Sequence, residues 1–126
     1  MSRLGPSGIG GLLAAVLVTG VAGAQHITSI EQVPFSYGLG QQRYSELCAG
    51  CHGEWLRGTE QGPPLLHGYY KPSHHSDRAF YAAIARGTRQ HHWNFGDMPP
   101  VAGATAEDAQ QIVPFIRWLQ REEGLF

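Results

Sequence analysis

The two cysteines of this 126-residue chain stand three positions apart, with a histidine directly behind the second: Cys48, Cys51 and His52, in the stretch ELCAGCHGEW. Thiols and an imidazole at that spacing have few uses. A disulfide across C-x-x-C closes too short a loop to stabilise a loop-rich domain. A zinc site of this type needs more donors, and the chain has no second cysteine pair to supply them. A redox-active dithiol needs a βαβ setting, and no strand pattern is present. Covalent haem attachment remains, and C-x-x-C-H is its recognised sequence. The spacing has a chemical reason. Two thiols one helical turn apart can each add to a vinyl group on the same porphyrin edge, and the next residue sets its imidazole under the iron.

A second group of residues bears on the opposite side of such an iron. Met98, in the stretch HHWNFGDMPP, is the only methionine beyond Met1. A thioether is a soft ligand that raises the haem potential relative to a second imidazole; methionine also serves as a flexible core filler. His67, His74, His75, His91 and His92 compete with it. All five fall in glycine-, proline- and polar-rich segments, and His91 or His92 is the natural substitute in a bis-histidine site. The adjacent pairs His74–His75 and His91–His92 also supply four imidazoles, which suit copper or zinc. Against a metal stands the solvated-loop reading, because neighbouring residues present both rings to one ion only through a special turn.

Few elements are available to position these groups. Residues 1–24 read as a signal peptide: Arg3 in the positive region, an apolar run from Ile9 to Val21, and an A-x-A cleavage site ending at Ala24. The run is shorter than the roughly 20 apolar residues of a membrane span and contains Gly10, Gly11 and Gly20. Cleavage is expected, leaving no transmembrane helix and placing the mature chain in the periplasm or another exported compartment. Residues 25–35 read as a tail and 36–126 as the domain. Beyond Arg3 there are eight Lys and Arg against ten Asp and Glu, so no nucleic-acid footprint exists.

Within the domain, Ser36 is a candidate cap for a first helix that carries Gly40, Tyr44, Leu47, Cys48 and Cys51 on one face. A loop runs from Gly53 to His75. Ser76 caps a second helix, with Asp77 in its first turn, Phe80, Ala83 and Ile84 in its apolar stripe, and Gly87 closing it. Another loop covers Thr88 to Ala104. Thr105 and Asp108 open the last helix, whose stripe is Ile112, Phe115, Ile116 and Leu119; Pro114 inside it predicts a kink or restart.

With these elements the sequence resembles the class I cytochromes c over most of residues 25–126. The resemblance rests on the haem motif, on Gly40 and Tyr44 eight and four residues before Cys48, on GPPL at Gly62 to Leu65, and on Met98 followed by proline. It implies that the last helix crosses closely at Gly40, with Ile112, Phe115 and Ile116 facing Tyr44. It further implies that the Pro63 carbonyl accepts the Nδ1 hydrogen of His52, that Leu65 packs near the macrocycle, and that Met98 is the distal ligand. The chain departs from the family before Met98, where TRQHHWNF reads as an extension; Trp93 and Phe95 there are expected to wall the haem from water.

The fold class implied is all-α: a small cytochrome c-like fold of three to four helices, with long loops wrapped around one haem c attached through Cys48 and Cys51. The function implied is a monohaem carrier passing single electrons between redox partner proteins, with His52 and Met98 on the iron. Six-coordinate iron leaves no reactant site, so catalysis is not expected. The partner class, an oxidase, a dehydrogenase or a copper enzyme, stays open. A lysine ring around the haem edge is ruled out because Lys71 is the only lysine, leaving Arg43, Arg57, Arg78, Arg86 and Arg89 for a milder rim. Two alternatives stay open on the residues alone: a bis-histidine or open-site haem protein, and a redox protein with a copper-type second site at the paired histidines.

Overall fold

The computed structural model describes residues 26–126; the signal peptide expected over residues 1–24 lies outside the described residues. The described chain contains four α-helices: α1 (Phe35–Leu47), α2 (Ala49–His52), α3 (Asp77–Arg86) and α4 (Ala106–Glu122). Two 3-10 turns, Ile30–Gln32 and Gly68–Tyr70, interrupt the connecting segments, and no strand is present among the described residues. No helix there is long and apolar enough to cross a membrane.

The core is the crossing of α1 and α4. A Cβ on Gly40 would stand 2.2 Å from the Gln111 carbonyl oxygen and 2.9 Å from Phe115 Cβ, so only glycine lets the two backbones meet there. One turn on, Tyr44 tilts against Phe115 with ring centroids 5.6 Å apart, and its hydroxyl donates to the Gly53 carbonyl at 2.8 Å. Tyr37 stacks on Trp118 at 5.3 Å. Ile112, Phe115 and Leu119 are fully buried.

Two expectations need correction. The first helix starts at Phe35 with Pro34 as its cap, and it does not continue through the haem motif. The backbone breaks at Cys48 (φ −126°), and Ala49–His52 forms a separate turn. That break leaves Cys51 exposed, off the face shared by Gly40 and Tyr44. The last helix neither stops nor restarts at Pro114. The Pro114 ring faces solvent while its neighbours are buried. An interior proline costs about 3 kcal/mol. Each fully buried apolar side chain contributes about 1.5–3 kcal/mol, and the three above outweigh that cost. The Thr105 cap is formed as expected: its Oγ1 accepts from the Asp108 N–H at 3.1 Å, and Asp108 Oδ2 accepts from the Thr105 N–H at 2.9 Å.

The segment from His26 to Pro34 is tied to the end of α4. Glu123 accepts from the Ile27 N–H at 2.8 Å, pairs with the His26 ring at 2.5 Å and receives Arg57 at 3.1 Å. Burial alone would raise the Glu123 carboxyl; the bonds from His26 and Ile27, with the Arg57 charge, carry it below its ordinary value.

Candidate functional site

A largely apolar cleft opens between the helices and both long loops. His52 lines it from the end of α2, and Met98 lines it from the second loop. His52 Nδ1 lies 2.9 Å from the Pro63 carbonyl oxygen. A carbonyl only accepts, so Nδ1 carries the ring proton and Nε2 keeps a bare lone pair. Burial lowers the His52 pKa against the opposing effect of the Pro63 bond, which favours the neutral ring a metal needs. GPPL is more than an ordinary turn: Gly62 lies so close to Cys51 that a Cβ would stand 3.0 Å from both its Cβ and its carbonyl oxygen. Leu65 is buried on the cleft wall, its carbonyl accepting from Gln120 Nε2 at 2.8 Å.

Both cysteines are free thiols. Cys48 borders the cleft, and burial pushes its thiol up to about 12, with Cys51 adding to the shift. Cys51 is exposed.

The extension before Met98 is closed at its neck. Thr88 and Met98 exchange two backbone hydrogen bonds of 2.9 Å each, an isolated antiparallel bridge. Gly87 makes this possible. Its φ is +72°, and a Cβ there would stand 2.3 Å from the Met98 carbonyl oxygen. Inside the excursion, Asp97 accepts from the Gln90 N–H at 2.9 Å and Gln90 Oε1 from the Gly96 N–H at 2.6 Å. Met98 is therefore placed by the neck, while the inserted residues run along the cleft. Trp93 and Phe95 both border the cleft; Trp93 donates to the Tyr70 hydroxyl at 3.1 Å, whereas Phe95 is 43% exposed.

The paired histidines meet. His74 Nε2 lies 3.2 Å from His92 Nε2, and His75 Nε2 lies 3.3 Å from His91 Nε2. The turn that allows this is local: the N–H groups of His74 and His75 both donate to the Lys71 carbonyl, at 2.9 and 2.8 Å. His67 stays apart from the four, its Nδ1 accepting from the Tyr69 N–H at 3.2 Å. Burial lowers the His75 pKa, and desolvation, with the neighbouring imidazoles, lowers that of His92.

Sequence reasoning missed the residue that holds this region to the core. Arg117 on α4 is buried, and its guanidinium reaches Asp77 Oδ1 at 2.7 Å, the Tyr70 carbonyl at 2.6 Å, Gln120 Oε1 at 2.7 Å and the His75 carbonyl, while lying 4.5 Å over the Phe80 ring. Its only signal was a charge inside an otherwise apolar helix face. Of the arginines expected at the rim, Arg43 is paired with Glu46 and Asp108, and Arg57 with Glu123, which leaves Arg78, Arg86 and Arg89.

The donor set fits a covalently held haem: a free thiol bordering the cleft with a second three residues on, a neutral imidazole whose Nδ1 is already bonded, and a thioether lining the same cleft. The family model described as Cytochrome c matches residues 38–120. No curated protein matches the sequence.

Proposed function

The chain belongs to the cytochrome c family, whose members are haem c electron carriers, and from that premise we propose that it carries single electrons in the periplasm with His52 and Met98 as the axial ligands. In this reading Cys48 and Cys51 form the thioethers. The observation that carries it is the neutral, Pro63-oriented His52 on the same cleft as Met98. The haem, when bound, supplies the one-electron couple, and a thioether opposite an imidazole sets a higher potential than two imidazoles do.

The protein's own groups do the rest. Pro63 fixes the His52 tautomer and ring direction, as outer partners of ligating histidines do. Gly87 and the Thr88–Met98 bridge set the methionine without relying on the extension. Leu65, Phe80 and Ile84 keep water from the cleft. With one lysine and few unpaired arginines, the chain offers its redox partner proteins a weakly charged docking rim, suited to small transient interfaces.

The test is the ferric and ferrous absorption spectrum of the exported protein beside that of Met98→Ala. The wild type is expected to show a c-type ferrous spectrum and the weak long-wavelength ferric band of methionine ligation. Met98→Ala should lose that band and fall in potential. A wild type without the band, or a variant that keeps it, would remove Met98 from the iron.

A further inference from the structure

Four imidazoles that the carrier role leaves unused converge at the cleft rim. His74 and His75 come from the segment before α3, His91 and His92 from the excursion before Met98. The donor atoms of His74, His75 and His92 all lie within 4.8 Å of one another. The tautomers make this more than crowding. His75 Nδ1 lies 2.6 Å from the Tyr69 carbonyl oxygen and His91 Nδ1 lies 2.7 Å from that of Arg89. Each Nδ1 therefore carries the ring proton, and each neutral Nε2 presents a lone pair. Those two lone pairs face each other across 3.3 Å, an arrangement that repels unless a metal ion, or a proton on one ring, satisfies both. Backbone-bonded Nδ1 atoms are also the usual condition of histidines that ligate through Nε2.

The spacing selects a geometry. Imidazole nitrogens bind zinc at about 2.0–2.1 Å with tetrahedral angles, which sets paired donors about 3.3 Å apart. Cis donors of a square-planar copper(II) site at similar bond lengths would lie about 2.9 Å apart. The two contacts here, His74–His92 and His75–His91, are 3.2 and 3.3 Å, the tetrahedral spacing for those two pairs. We propose that His74, His75 and His92 form a zinc site at the rim of the cleft that uses neither His52 nor Met98, with His91 joining as the fourth donor through its contact with His75. The ligands are braced from outside: Arg117 binds the His75 carbonyl, and Tyr69 stacks on the His92 ring at 4.2 Å. Zinc there would clip the segment before α3 to the excursion that ends at Met98, joining the two loops on either side of that helix.

The experiment is zinc titration of the chelator-treated, haem-loaded protein by calorimetry, with zinc-edge X-ray absorption on the loaded sample. One zinc per chain is expected, with imidazole scattering and four nitrogen or oxygen donors at about 2.0 Å. His74→Ala, which does not border the cleft, should weaken binding at least about tenfold and leave the haem spectrum unchanged. Absence of stoichiometric zinc, or unaltered binding in His74→Ala, would overturn the site without touching the iron ligands. Loss of the six-coordinate haem spectrum in His91→Ala or His92→Ala would instead put an imidazole on the iron, overturning both the zinc site and the Met98 assignment.

Discussion

The α1–α4 crossing and the histidine-bearing rim are held together in opposite ways. At the crossing, a missing side chain and a few buried rings do the work: Gly40 admits the Gln111 carbonyl, and Tyr44 meets Phe115. At the rim, polar groups satisfy backbone from a distance in sequence. Arg117 reaches the carbonyls of Tyr70 and His75, and the His75 and His91 rings bond the carbonyls of Tyr69 and Arg89. Apolar contact is non-directional and tolerates small shifts, so it suits a hinge-free scaffold. Directional bonds fix particular atoms, which is what a ligand-bearing loop requires, but each lost partner leaves a buried polar group unpaired.

The contrast can be broken at its strongest point first. Gly40→Ala drives a Cβ into backbone that cannot rotate away, and should cost about 3 kcal/mol, the upper end of overpacking penalties. Denaturant unfolding of the haem-loaded protein measures it; a loss below 1 kcal/mol, on the order of an ordinary helix substitution, would mean the helices part freely. Arg117→Met keeps an apolar stem of similar length while removing the guanidinium over Phe80 and its bonds to Tyr70, His75, Asp77 and Gln120. A global loss of about 2 kcal/mol is expected, and protease cleavage between Lys71 and His75 should rise more than elsewhere. Uniform destabilisation without local opening would show that Arg117 braces the core and not the rim.

The smallest effect concerns the tail. The Glu123 carboxyl sits below its ordinary value in the folded chain, so its stabilisation is present above the unfolded carboxylate range and fades as pH falls through the lower folded value. The protection factor of the Ile27 amide should therefore fall on acidification before the helices loosen, and Glu123→Gln should flatten that dependence. Exposed partners and salt screening keep the stability change within about 1 kcal/mol. An Ile27 amide whose protection ignores this pH range would separate the tail from Glu123.

Much of the fold was legible because its signals are local. Helix α3 lies between Ser76 and Gly87 where its residue pattern predicts, although the Ser76 side chain makes no cap bond, and the Thr105–Asp108 box opens α4. The break at Cys48 was not legible, because helical spacing continues through it and only the turn into Gly53 bends the chain away. At Pro114 the helix does not restart: the local cost is real, and burial on the opposite face overrides it.

The sequence by itself determined the family, the C-x-x-C-H motif and the single methionine beyond the first residue, since these depend on residue type and short spacing alone. Only the tertiary structure decided which side chains share a site. Residues 74–75 and 91–92 are separated by a whole helix, and nothing in their spacing says that their rings meet. That outcome depends on the Lys71 turn, the Thr88–Met98 neck and an arginine more than forty positions away on α4. Long-range juxtaposition follows from how helices pack, and packing is a property of the whole chain.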